Sequence, residues 1–175
     1  EGQSMPGSGV LPILEWRKKK LAGEPMNGTT PLEIADALEK ASQTALTGSA
    51  PPANASTELR NTLNDIRAMG QLARYYAAKI RSAASLALFD RSGDAAEKAE
   101  AVKQAQIALE AWQAYAAEYT EQYVQPRLYN RVGFVDIPQL AARARDDIEI
   151  ARRWVKGTFP GDTPRANASD VLFRR

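Results

Sequence analysis

Residues 56–89 read STELRNTLNDIRAMGQLARYYAAKIRSAASLALF, and residues 95–124 read AAEKAEAVKQAQIALEAWQAYAAEYTEQYV. Only Asp90-Arg91-Ser92-Gly93-Asp94 separates them. In the first segment Leu59, Leu63, Ile66, Gly70, Ala73, Ala77, Ile80, Ala84 and Ala87 recur at alternating steps of four and three. That spacing keeps side chains on one face of an α-helix. Val102, Ala105, Leu109, Trp112, Ala116, Tyr119 and Tyr123 repeat it in the second. Gly70 inside a helix costs roughly 1 kcal/mol relative to Ala, a cost expected where a neighbouring backbone or ring approaches closely.

Gly93 suits a left-handed turn and Asp94 suits the next helix cap. Two helices of about 30 residues joined by so tight a turn must fold back antiparallel, as a hairpin roughly 45 Å long. One hairpin cannot bury both of its flanks, so the remaining elements should pack on it.

Those elements are readable outward from the hairpin. Before it, Thr30-Pro31-Leu32-Glu33 carries a capping box with proline at the first helical position. Leu32, Ala35, Leu38, Ala45 and Leu46 follow on one face, and Gly48 ends that helix before Pro51 and Pro52. Earlier still, Ile13, Leu14 and Trp16 form the apolar side of a short helix that Gly23 and Pro25 stop. Arg17, Lys18, Lys19 and Lys20 read as its solvated face.

After the hairpin, Pro126 closes the second long helix. Arg127 to Val135 reads as an irregular connection with hydrophobic anchors. Asp136 is then expected to cap a last helix with Ile137, Leu140, Ala144, Ile148, Ala151 and Val155 inward and Gly157 as its stop. The ends, 1–9 and 158–175, read as irregular, with Val171, Leu172 and Phe173 able to dock. The expected fold is an all-α bundle in one domain over 1–175: a long antiparallel αα-hairpin (about 56–89 and 95–124) with three shorter flanking helices.

Composition narrows the chemistry. The 175 residues are 44% hydrophobic and 25% charged, enough for a substantial core. A formal charge of +2 argues no nucleic-acid partner. With no cysteine there are no disulfides or thiolate metal sites, and with no histidine the commonest general base and metal ligand are missing. Catalysis would have to rest on carboxylates, lysine, tyrosine or a bound cofactor. No cofactor motif is present, and no run approaches the ~20 apolar residues that span a bilayer.

Three groups could still carry function. The carboxylate pairs Glu118/Glu121 and Asp146/Glu149 sit three apart on helix faces, where exposed acidic pairs are commonplace. Trp112, Tyr115, Tyr119 and Tyr123 follow one another along the second long helix, opposite Tyr75 and Tyr76. Such rings fill helix interfaces or stack on sugars and bases. Tyr75 and Tyr115 lie off the apolar stripes and are expected nearer the surface. The segment after Pro126 brings Arg127, Tyr129, Asn130 and Arg131 beside Gly133, suited either to a carboxylate or sugar hydroxyls or to capping helix carbonyls.

The runs Asp65-Ile66-Arg67-Ala68-Met69, Ala73-Arg74-Tyr75-Tyr76-Ala77-Ala78-Lys79-Ile80-Arg81, Leu86-Ala87-Leu88-Phe89 and Asn130-Arg131-Val132-Gly133-Phe134-Val135-Asp136 resemble a known region. It is the helical C-terminal part of large secreted bacterial glycan-processing proteins, glycoside hydrolase-like and carbohydrate-binding or α-glucuronidase-like. The resemblance covers about residues 1–156. It implies that the catalytic carboxylates belong to a separate barrel domain and that this chain, which begins at Glu1, is a fragment of a larger secreted or periplasmic protein. On that reading it is a non-catalytic accessory domain that contacts the catalytic domain of the same polypeptide and a glycan. Arg74, Tyr75, Lys79, Tyr129, Asn130 and Arg131 are the expected interface or cleft residues. The alternatives are a free-standing helical interaction or scaffold module, and an enzyme using bundle carboxylates.

Overall fold

Capping groups set the helix boundaries in the computed structural model, which describes residues 7–159. Helix α1 spans Ile13–Ala22 and ends on Gly23 in the left-handed conformation. Helix α2 spans Pro31–Gly48. There the Thr30 hydroxyl accepts from the Glu33 backbone N–H while the Glu33 carboxylate accepts from the Thr30 N–H, the reciprocal pair expected from the sequence. Helix α3 spans Thr57–Ser92, capped by the Ser56 hydroxyl, and stops at Gly93 with φ +77°. Helix α4 spans Ala95–Thr120, its first turn capped by the Asp94 carboxylate. These last two form the long antiparallel hairpin, with α2 packed on α3 and α5 (Ala141–Arg153) packed on α4.

The seam between α3 and α4 lies one position round from the predicted stripe. Ala68, Leu72, Tyr75 and Ala78 meet Ala108, Ala111, Trp112, Tyr115 and Ala116 there. The predicted stripe of α3 turns instead toward α1 and α2. A Cβ placed on Gly70 would sit 3.1 Å from the Ala45 Cβ and 3.2 Å from Leu46, and Ala84 packs with Trp16, Leu88 and Leu32. Leu59 and Ile66, near the open end of that stripe, remain about two-fifths exposed (42% and 41%). A helix with alanine on several faces has no single apolar side, so periodicity alone could not choose which face met which neighbour.

Other boundaries differ from expectation. α3 runs three residues past Phe89, so Asp90 belongs to its last turn and is buried. α4 stops at Thr120 rather than Val124, because the chain turns at Glu121–Tyr123 toward Pro126. The connection after Pro126 is not irregular. β1 (Arg127–Tyr129) and β2 (Gly133–Val135) pair antiparallel, with Arg127 opposite Val135, Leu128 opposite Phe134 and Tyr129 opposite Gly133. Its expected anchors Leu128, Val132 and Phe134 point to solvent. Asp136 caps a turn, accepting from the Gln139 N–H, and α5 begins only at Ala141. Ile137, Ala144, Ile148 and Ala151 are buried as expected, whereas Val155, beyond the helix end, is exposed.

Arg17 overturns the solvated-face reading of the cation run. It is fully buried beside Trp16, and its guanidinium lies 3.6 Å from the Asp90 carboxylate. The expected irregular ends fall mostly outside the described residues, as do Val171, Leu172 and Phe173.

Candidate functional site

Tyr115, Tyr119 and Tyr123 are spaced four apart, which stacks them turn upon turn along one side of α4 and its continuation. The rings form a continuous series. Centroids step from Tyr76 to Tyr75 (5.0 Å), Trp112 (4.9 Å), Tyr115 (5.4 Å), Tyr119 (5.6 Å) and Tyr123 (4.6 Å). The first three steps are edge-to-face, the arrangement that ring quadrupoles favour. The Trp112 indole N–H donates to the Ile137 carbonyl, which ties the series to the segment before α5.

The β-hairpin folds back over the end of this series. Side chains alternate across its strands, so Arg127 and Tyr129 face inward while Leu128 faces out. The Tyr129 and Tyr119 hydroxyl oxygens lie 2.6 Å apart, and an Arg127 N–H donates to the Tyr119 hydroxyl at 3.4 Å. The Arg127 guanidinium also covers the Tyr123 ring, 4.6 Å from its centroid. On the α3 side, the Tyr123 hydroxyl and the Gln122 amide donate to the Asp65 carboxylate at about 3.0 Å. Between these groups lies an open cleft of about 440 Å³, lined by Asp65, Met69, the four tyrosines, Arg127 and Asn130 among others.

Three phenols of this cleft, Tyr115, Tyr123 and Tyr129, hold their protons more firmly than a free tyrosine. The hydrogen bond to Tyr119 together with burial pushes Tyr129 up to about 12. The bond to Asp65 raises Tyr123, and burial raises Tyr115. The cleft thus sets phenolic hydroxyls beside the Arg127 guanidinium and the Asp65 carboxylate.

The six residues expected from the sequence do not gather at one place. Tyr129 and Asn130 line the cleft. Arg131 sits at the exposed hairpin tip with φ +68°. Tyr75 and Tyr115, expected toward the surface, are each only 8% exposed because the α3–α4 seam runs through them. Lys79 donates to the Tyr75 hydroxyl at 3.0 Å and to Asp147 of α5 at 2.8 Å. Partial burial works to lower the Lys79 pKa, but these bonds prevail and leave it raised. Arg74 is half-buried on α3 and lines no part of the cleft. Asp65 carries no signal of its own in the sequence, although it stands in a run that bears the resemblance, and Tyr119 and Tyr123 fall on the apolar stripe there yet line the cleft.

One member of each carboxylate pair is engaged elsewhere. Glu118 accepts from Arg67 at 2.6 Å, and Glu149 pairs with Arg152 at 2.6 Å. Among the described residues no group of three or more acidic side chains is placed to hold a metal ion, and no helix is long and apolar enough to cross a membrane. No family model matches the chain, and comparison with curated proteins and with solved structures gives no match either.

Proposed function

We propose that this chain is a non-catalytic helical accessory module of a secreted or periplasmic carbohydrate-active protein, docking on a catalytic domain of the same polypeptide. The observation that carries this reading is the outer face of the β-hairpin. Leu128 and Phe134 stand opposite one another at 65% and 74% exposure, with Val132 in the turn between the strands at 72%. Exposed apolar side chains paired across one hairpin mark a surface suited to a partner. A two-stranded hairpin is marginal by itself; here the inward Tyr129 and Arg127 hold it to α4, so the outer face is presented on a firm support.

Within one polypeptide the tether raises the effective concentration of the partner, so a few apolar side chains on a firm support suffice for docking. The charge balance and the resemblance in the Asp65–Arg81 and Asn130–Asp136 runs support the same reading. The test compares hydrogen exchange of residues 124–135 in the isolated chain and in the intact protein. Protection gained in the intact protein, and lost in a Leu128→Ser/Phe134→Ser variant, is the expected result. Glycan turnover by the purified chain, abolished by substituting one of its glutamates, would overturn the accessory reading.

The same exposed patch favours one alternative, a free-standing interaction module. It predicts a stably folded chain that self-associates or captures a partner, without sugar affinity; sedimentation measures the self-association, which Phe134→Ser should remove.

A further inference from the structure

We infer that the tyrosine-lined cleft under the β-hairpin binds a single neutral, hydroxyl-rich ring, the terminal or branch sugar of a glycan. This deepens the accessory-module reading and rests on its carbohydrate half, not on hairpin docking.

Hydrogen-bond accounting in the cleft points to the ligand class. Tyr119 and Tyr129 carry two hydroxyl protons between them, and their 2.6 Å contact uses one. The second has no protein acceptor among the described residues, although both rings are half-buried. Arg127 has five N–H donors, and its single bond within the cleft is the long one to Tyr119, at 3.4 Å. The exposed Asn130 side chain adds both a donor and an acceptor at the rim. Opposite them, the Asp65 carboxylate offers about four lone-pair directions and, among the described residues, receives only Gln122 and Tyr123. A ligand that satisfies both sides must donate and accept at neighbouring atoms, which is what adjacent hydroxyls do.

Charge and shape remove the competing classes. Arg127 and Asp65 balance, so a phosphate or carboxylate that gained the guanidinium would face the Asp65 charge across the cleft. A nucleobase needs an open ring face. Arg127 covers the Tyr123 ring and Tyr119 packs against it, which closes that platform. A wholly apolar ligand would strand the spare phenolic proton and the carboxylate in a dry site, an unfavourable outcome. A sugar ring also carries C–H faces, which fit the edges of Tyr115 and Tyr129 and the 63% exposed Met69. A cleft of about 440 Å³ falls in the lower part of the small-molecule range, which suits one ring better than a long chain.

The experiment is titration of the purified chain with glucose, galactose, xylose and N-acetylglucosamine, and with β-linked trimers of glucose and xylose. Backbone amide shifts in NMR spectra report the site, and sodium phosphate and acetate are titrated in parallel. At least one sugar is expected to bind in about the millimolar range, with shifts concentrated at residues 65–69, 119–123 and 127–130. Asn130→Ala and Arg127→Met, both at exposed positions, should each weaken it about five- to tenfold, the loss of one hydrogen bond, whereas Arg143→Gln on the outer side of α5 should not.

Sugar binding unchanged by the Asn130 and Arg127 variants overturns the cleft assignment and leaves the carbohydrate reading standing. Tighter binding of phosphate or acetate than of any sugar overturns the neutral-ring assignment. Binding of no sugar at tens of millimolar overturns the inference and removes the carbohydrate half of the accessory reading, while the hairpin exchange experiment continues to test docking.

Discussion

Arg17 and Asp90 face each other at 3.6 Å in a site where neither side chain reaches solvent (0% and 1% exposed). The Asp90 carboxylate also accepts from the Trp154 indole N–H at 2.7 Å and from the Phe159 N–H at 3.1 Å, and the Asp90 carbonyl accepts from the Gly157 N–H. One carboxylate thus ties α1 and the segment after α5 to the turn end of the hairpin. Removing it takes a charged partner from the buried Arg17 guanidinium and the acceptor from the Trp154 and Phe159 N–H groups, so Asp90→Ala should destabilise the fold by about 3–5 kcal/mol. Urea unfolding followed by tryptophan emission measures this, and a loss below about 1 kcal/mol would show that water reaches the site.

Gly70 weighs helix propensity against space. Alanine there gains about 1 kcal/mol of propensity, but its Cβ would stand 3.1–3.2 Å from Ala45 and Leu46. Gly70→Ala should therefore come out near neutral. Gly70→Leu should cost about 1–3 kcal/mol by forcing α2 off α3. Denaturant midpoints for the two variants decide the matter, and a stable leucine variant would mean that α2 is only loosely held.

The Thr30–Glu33 capping box satisfies two N–H groups at the start of α2. Thr30→Ala should cost about 1 kcal/mol, with faster amide exchange confined to the first turns of α2. The bonds to Thr30 hold the Glu33 carboxyl below the usual glutamate range. The ionised form is therefore favoured in the folded state. Its stabilising contribution is present above the unfolded glutamate pKa and fades as the pH falls through the lower folded value.

Alkaline pH should act on the cleft in the opposite sense. Tyr129 is pushed up to about 12, against about 10 for a free phenol. Between those values the unfolded chain has lost the proton and the folded chain keeps it, so stability falls as pH rises from about 10 to 12. Melting temperatures across pH 9–12 should show this decline, and Tyr129→Phe should flatten it. An unchanged slope in that variant would place the sensitivity at Tyr123 or Tyr115, whose pKa values are also raised.

The parts of this protein legible in its residues are those whose energetics are local. Thr30, Gly93 and Asp94 act on backbone groups within four positions of themselves, so the starts of α2 and α4 appear where read and Gly93 takes its left-handed turn, although α3 runs on to Ser92. The hairpin of α3 and α4 follows from two long periodic segments and a turn too short for any other path. Less legible were strands of three residues, since a period of two leaves almost no pattern over so short a run. The cleft was half visible: Tyr129 and Asn130 drew attention as unusual residues after Pro126. Asp65 did not, because a single aspartate on an amphipathic helix looks like any solvated charge.

Sequence by itself determined the all-α class, the antiparallel pairing of the two long helices and the absence of histidine and cysteine chemistry. Tertiary structure alone decided that Arg17 is buried, that Tyr75 and Tyr115 line the seam, and that the Tyr119 and Tyr129 hydroxyls hydrogen-bond beside an open cleft. The physical reason is one of range. Caps, turns and helical periods are interactions between near neighbours in the chain, whereas the face an alanine-rich helix buries depends on partners that only the folded chain brings within contact.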